Sequence, residues 1–455
     1  MGKPISTRNE RASITGLLFF ITFFLSTCMT QTNSSSQKKL LQLTNSPKGH
    51  TLHHNGVFSK DGNWIVFDGR NEDTQIGSTS EIGLLDLSTK KEMVLYRTTH
   101  ASIYGPGVGA ASFSPVSNKV VFIHGLLNAN KEKPYAITRR TGVAVDIETP
   151  QKSVFLDARD ITPPYTVGSL RGGTHSHCWS PDGRLISFTY NDEWTEPDLR
   201  TVGVMFPVGD PVLVDKHEGN NNGDYYAVVI ADVKADPKPG SDEISKAFDE
   251  CWVGRVGQEN VLYLLAFQGN TLNKQGEIVT EIFVVELHLE TLLADTKAVG
   301  VAGTRPRPPL GVQPRRISRT AKGLSPVRHW LRSDREGKYI YALAEDSQGI
   351  AQLIQCEIQT GKIRFLTKNS FPIDYSFNLS ADGKRIAFIG NNNVYLYEFD
   401  TGNVVQLTSN TVTDLKITGA PSFSPDDKTI VFNQYVIGAD HESYLQIMAI
   451  NVPNP

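Results

Sequence analysis

Gly172-Gly173-Thr174-His175-Ser176-His177-Cys178-Trp179-Ser180-Pro181-Asp182-Gly183 decides the fold, because its second half is the clearest copy of a unit that recurs along the chain. The same frame stands at Phe58-Ser59-Lys60-Asp61-Gly62, Phe113-Ser114-Pro115-Val116-Ser117, Leu379-Ser380-Ala381-Asp382-Gly383 and Phe423-Ser424-Pro425-Asp426-Asp427. In every copy a second large apolar residue (Phe67, Phe122, Phe188, Phe388, Phe432) follows nine positions after the first. Ser, then Pro, then Gly at these offsets is type I turn chemistry, and runs such as Leu185-Ile186-Ser187-Phe188 read as strands. One antiparallel hairpin is therefore made repeatedly. A degraded sixth copy is Ser333-Asp334-Arg335-Glu336-Gly337-Lys338-Tyr339-Ile340.

Further strands lie between the hairpins. Asn393–Phe399 leads to Gly402–Thr408, and Gln352–Cys356 leads to Lys362–Thr367. The compact copies recur every 44 to 46 residues, the period of a four-stranded propeller blade. A seventh unit lacks the turn motif but keeps the strands Glu250–Val253, Val261–Phe267, Ile282–Leu287 and, outermost, Val312–Ile317. The expectation is an all-β, seven-bladed β-propeller, with six blades as the fallback. Leu40–Ser46 resembles an outer strand yet precedes any blade, and the last unit stops after three strands ending Tyr444–Ile450. The N-terminal strand should therefore complete the last blade and remove an exposed sheet edge.

Net charge is −3 with 20% charged residues, which gives no field for nucleic acid. Lys3, Arg8 and Arg11 precede an apolar run from Ile14 to Leu25, the layout of a signal peptide. Leu25-Ser26-Thr27-Cys28 resembles a bacterial lipobox, with Thr27 outside the usual small-residue choice. Residues 1–28 are read as a lipoprotein-type signal peptide lipidated at Cys28, 29–39 as a polar tether, and 40–455 as one propeller domain. Ordinary secretion and a retained anchor remain alternatives. The lipid reading implies a cell-envelope protein, facing the periplasm or the exterior, that meets the membrane only through its anchor. Cys178 and Cys251 fall on neighbouring inner strands, where they could pair or serve as small buried hydrophobes. A short helix capped by Ser241 is expected up to Phe248. Asn191–Asp232 reads as an insertion with its own strand, and Thr304–Pro309 as an exposed basic loop.

The repeat resembles the TolB-like propeller superfamily, from about residue 40 to 452. More narrowly, Tyr165–His175, Ser187–Asp192, Pro239–Ile244 and Arg328-His329-Trp330 resemble the uncharacterised bacterial YidR family. These resemblances imply a propeller and no particular activity. A more distant similarity, resting on architecture and histidines, is to the oligogalacturonate lyases, propellers that hold a divalent metal.

Aligned on the repeat, His54, His175 and His329 each stand four places before the residue that opens a turn motif. In a propeller that is the start of an inner strand, at the mouth of the central channel. Three imidazoles with an open position are a set for a divalent transition metal such as Mn, Zn or Ni. His177, Glu250 and His53 are ligand-binding candidates on the same rim, with Asp249 beside them, and Arg328 and Arg171 are candidates for holding a substrate's acid group. A non-metal polar pocket and ordinary structural histidines are the competing readings. The expected function is an envelope propeller that binds a small molecule, an oligosaccharide or an envelope protein at its channel mouth. The alternative is a metal-dependent lyase acting on uronic-acid oligosaccharides.

Overall fold

The computed structural model describes residues 40–453 apart from 197, 255–261 and 413–414. The expected signal peptide and tether, with Cys28, lie outside the described residues. Consecutive antiparallel strands form seven blades in chain order. Six are four-stranded sheets, among them Gly173–Trp179, Ile186–Asn191, Arg200–Phe206 and Tyr226–Val229 as blade 3. Blade 1 is a three-stranded sheet, Trp64–Asp68 to Glu92–Arg97, and the bridges Thr51–Asp68 and Phe58–Ile65 mark its inner edge. The last blade takes its outer strand from the start of the domain. Leu41–Gln42 pairs antiparallel with Ser443–Asn451, Leu41 opposite Ala449 and Gln42 opposite Met448.

In four of the hairpins the turn motif is held by the same bonds. Ser180 Oγ donates to Asp182 Oδ1 at 2.6 Å and accepts from Leu185 N at 2.9 Å. Ser59, Ser380 and Ser424 repeat the first bond to Asp61, Asp382 and Asp426. Gly183 has φ +68, and a Cβ there would come within 2.3 Å of Val116 on the next blade. Asp427 stands where three of the other copies have Gly62, Gly183 and Gly383. It adopts φ 58, which a short polar side chain tolerates, and its carboxylate accepts from Ala381 N and Asp382 N of blade 6.

The paired large residues of each repeat fill the gaps between sheets. Seven apolar clusters result, one for each blade interface. Trp179, Ile186 and Phe188 meet Val121 and Ala144 of blade 2. At the seam, Leu43, Leu52, Val57, Ile65 and Phe67 meet Val431, Ile447 and Ala449.

Three local expectations are corrected. The stretch ending at Phe248 is not helical: Ser241 Oγ accepts from Glu243 N within a turn, and the chain then enters the inner strand of blade 4, Lys246–Trp252. The ladder with Leu262–Leu272 outweighs the local cap. The supposed insertion after Asn191 supplies the third and fourth strands of blade 3. The basic loop at Thr304–Pro309 is partly packed, Arg305 donating to Leu199 O at 3.0 Å and Arg307 to Asp295 at 2.7 Å.

Leu43 is 9% exposed at the seam, whereas neighbouring Leu40 is 44% exposed. Leu43→Ala should cost about 2–4 kcal/mol in denaturant unfolding, and Leu40→Ala less than about 0.5 kcal/mol. Equal losses would show that ring closure contributes nothing.

Candidate functional site

The inner strands of blades 2, 3 and 4 share a backbone device that the repeat pattern does not reveal. Each ladder slips register, between Gly109 and Ser112, His175 and Cys178, and Phe248 and Cys251. The residue inside each slip is left-handed although it is not glycine: Ala110 (φ 57), Ser176 (φ 57) and Asp249 (φ 51). Such bulges re-aim side chains, and strained residues of this kind cluster at functional sites. In blade 4 the residue so placed is an acid. Asp249 is buried, and the charged groups around it are Arg328, Arg200, Lys246 and Arg332. Burial raises its carboxyl to about 6 despite these cations.

The expected metal trio does not assemble. His329 is fully buried with both ring nitrogens in use. Leu343 N–H donates to Nε2 at 3.0 Å, so Nδ1 carries the proton and donates to Val327 O at 2.6 Å. That ring is structural, with burial lowering its pKa to about 4. His54 lies flat on Trp330, ring centroids 3.9 Å apart, and its Nδ1 receives an Arg332 N–H at 3.2 Å. Its Nε2 faces Cys178 Sγ at 3.4 Å. His53 packs edge-on to His54, and its Nε2 is buried without a partner among the described residues. The ligand-type atoms of His53, His54 and Cys178 lie within 4.8 Å of one another, the one such group among the described residues. His175 stays outside it. Its Nδ1, like that of His177, is buried and unpartnered. His177 Nε2 meets Thr174 Oγ1 at 3.1 Å beside blade 2, where Gly142 leaves room for the ring.

The two arginines also part company. Arg171 is buried away from the channel, bonded to Asp192 at 3.1 Å and to Val299 O and Thr304 O, so it is a structural tie. Arg328 stays at the mouth, over the Trp330 ring at 4.6 Å and bridged to exposed Asp73 at 2.8 Å. A cavity of about 390 Å³ opens there, lined by His53, His54, Arg328, Trp330 and Tyr375 among others. Glu250 lies between blades 3 and 4. Its Oε2 accepts from Thr189 Oγ1 at 3.2 Å, its Oε1 is unpartnered, and burial raises its carboxyl to about 8. Cys178, Cys251 and Cys356 are buried free thiols, so the disulfide alternative is not realised.

Sequence reasoning missed Arg140, Arg200 and Lys246. Arg140 and Arg200 each open the third strand of a blade, opposite Gly125 and Asn191. That shared repeat position was the available signal. Their fixed partners are neutral: Tyr135 OH for Arg140 at 2.8 Å and Asn191 Oδ1 for Arg200 at 3.2 Å. Burial lowers the Arg200 pKa, and repulsion from Arg140 and Arg328 lowers it further. The same three arginines, with burial the larger cause, hold His175 neutral.

Two family models match parts of the chain: a protein family of unknown function (DUF3748) over residues 107–222, and the dipeptidyl peptidase IV N-terminal region over 347–434. Among solved structures, an oligogalacturonate lyase in complex with manganese aligns with TM-score 0.52 at 13% identity, covering 92% of this chain and 98% of that one. The structure of a putative TolB from Agrobacterium tumefaciens aligns with TM-score 0.41 at 12% identity, covering 82% and 99%. The first of these likenesses shows the fold alone. The uncharacterised protein YidR of Escherichia coli (strain K12) is 36% identical over 411 residues, which is 87% of this chain and 95% of that protein. Likeness of that extent places the chain in the YidR family of β-propellers.

Proposed function

We propose that this protein binds a carboxylate-bearing small molecule or oligosaccharide at the mouth of its propeller channel. The observation that carries the reading is the excess of positive charge there, which the buried Asp249 offsets only in part. Arg140, Arg200, Lys246 and Arg328 come from four successive blades, and their mutual repulsion is felt in the lowered pKa values of Arg200 and Lys246, after burial as the larger cause. The Arg328–Asp73 bridge joins two exposed side chains and is worth little. An anion would relieve the repulsion and accept charge-assisted bonds from guanidinium forks. The adjoining cavity offers Tyr375 as a face for a sugar ring, with His53 Nε2 and Trp330 Nε1, which have no hydrogen-bond partner among the described residues, as polar contacts.

The lyase alternative draws support from the His53–His54–Cys178 group and from the manganese in the similar structure. The group does not suit that ion. Two imidazoles and a sulfur are soft donors, whereas manganese favours oxygen. Arg332 also donates to His54 Nδ1, which leaves the proton on the Nε2 that would have to ligate, and it sets a guanidinium beside any dication. No step of the present reading runs through a metal. The location follows the N-terminus: an envelope protein, anchored by a lipid on Cys28 and able to meet other envelope proteins as TolB-like propellers imply.

Titration calorimetry of the full chain with trigalacturonate should show binding that weakens about 10- to 100-fold in Arg200→Ala and Arg328→Ala, unchanged by EDTA or manganese. Failure of the wild type to bind at millimolar ligand would end the anion reading. Manganese-dependent release of an unsaturated uronate would establish the lyase instead. For the anchor, labelled palmitate should enter the wild type and not Cys28→Ser, which should leave the membrane fraction. Equal labelling of both would refute lipidation at Cys28.

A further inference from the structure

We infer that Asp249 is a specificity-determining residue of this mouth, making it take up an anion together with a proton. The inference rests on the anion reading above. Asp249 is buried among the cations that would meet a ligand, with no ion pair to any of them among the described residues. Lys246 and Glu250 face it from its own strand, Arg200 from blade 3, and Arg328 and Arg332 from blade 5. Arg140 and His175, which belong to the same arginine cluster, complete the rim. No hydrogen bond among the described residues engages its carboxylate, while Leu331 N donates to its backbone oxygen at 3.3 Å. The bulge therefore holds the acid at the cations without locking its side chain.

A free carboxylate and a ligand carboxylate in one ring of guanidinium groups repel each other, so one must give up its charge. The ligand draws the arginine forks towards itself, and Asp249 loses the neighbours that kept it ionised. Its carboxyl already stands at about 6, with burial raising it and cations lowering it. Occupying the cations and adding a negative charge both push it higher. One proton from solution converts the Asp249 carboxylate to the acid for each anion bound, and no covalent bond changes. The sign is fixed: affinity rises as pH falls from 8 towards 6 and levels off below the free-state value. Above pH 7 it weakens by up to about tenfold per pH unit, the limit for one linked proton. Glu250 differs in that its Oε2 is tied to Thr189 Oγ1, whereas the Asp249 carboxylate is free to respond.

The test is trigalacturonate binding to the full chain from pH 6 to 8, in buffers of different ionisation enthalpy so that proton uptake is counted directly. The wild type should take up close to one proton at pH 7.5. Asp249→Asn and Asp249→Gly, both compatible with a left-handed backbone, should bind with no proton uptake, with a flat pH profile, and about tenfold or more tighter at pH 8. Glu250→Gln should keep the wild-type slope. PH-independent wild-type binding without proton uptake overturns the inference and leaves the anion reading standing. So does loss of binding in both folded Asp249 variants, which would make the carboxylate a ligand contact. Absence of binding in every protein overturns both.

Discussion

The seam between the first and last blades is the contact on which the rest of the molecule depends. Six interfaces join sheets that follow one another in the chain, but the seventh joins strands roughly four hundred residues apart, with Leu43 N bonded to Ile447 O at 2.8 Å. Pairing Leu41–Gln42 with Ser443–Asn451 covers an edge of the last blade that would otherwise stand open. It also sends the first residues of the inner strands towards a common axis. His54 and Arg332, from blades 1 and 5, meet there, and Asn378 of blade 6 donates both to His54 O and to Pro421 O of blade 7. A cross-linked hub of this kind does not exist until the ring is shut.

Burial at the hub reverses the ordinary order of titration. Histidine is the side chain that normally changes charge near neutral pH, yet His53, His54, His175 and His177 are all held neutral by desolvation, with nearby arginines adding to the effect. The same desolvation lifts Asp249 to about 6 and Glu250 to about 8. Proton traffic near neutrality therefore belongs to carboxylates here, while the imidazoles act as neutral donors, acceptors and stacking surfaces. A cationic rim above neutral histidines is poorly suited to a dication and well suited to an anion.

The wheel was legible in the sequence because it rests on local chemistry. Ser180, Asp182 and Gly183 specify a turn wherever they recur, and the spacing of Trp179 and Phe188 states which face is buried. The missing outer strand of the last blade could be inferred from Leu40–Ser46 by pattern alone. Blade 4, without the turn motif, was placed by its strands, but its entry was misread because Ser241 offers a cap that the ladder overrules. The site was legible only in part. Repeat alignment singled out His54, His175 and His329 by one shared position, without revealing where their rings turn. Rotamer and tautomer are decided by tertiary neighbours such as Leu343 N and Arg332, which no repeat position encodes. Arg171 shows the same limit: its proximity to His175 in sequence becomes a buried pair with Asp192.

Ala110, Ser176 and Asp249 carry this point further. Three blades use the same left-handed bulge at the same height, so the backbone device belongs to the fold. A methyl group, a hydroxyl and a carboxylate stand at equivalent bulges, and only the third carries a charge to set against the cations of its neighbours. A wheel shared at 13% identity with a manganese-holding lyase is a likeness of fold alone, and the chemistry is set by the residues seated on it. An acid in one bulge, with guanidinium groups on the two flanking blades, turns a structural irregularity into a charged centre.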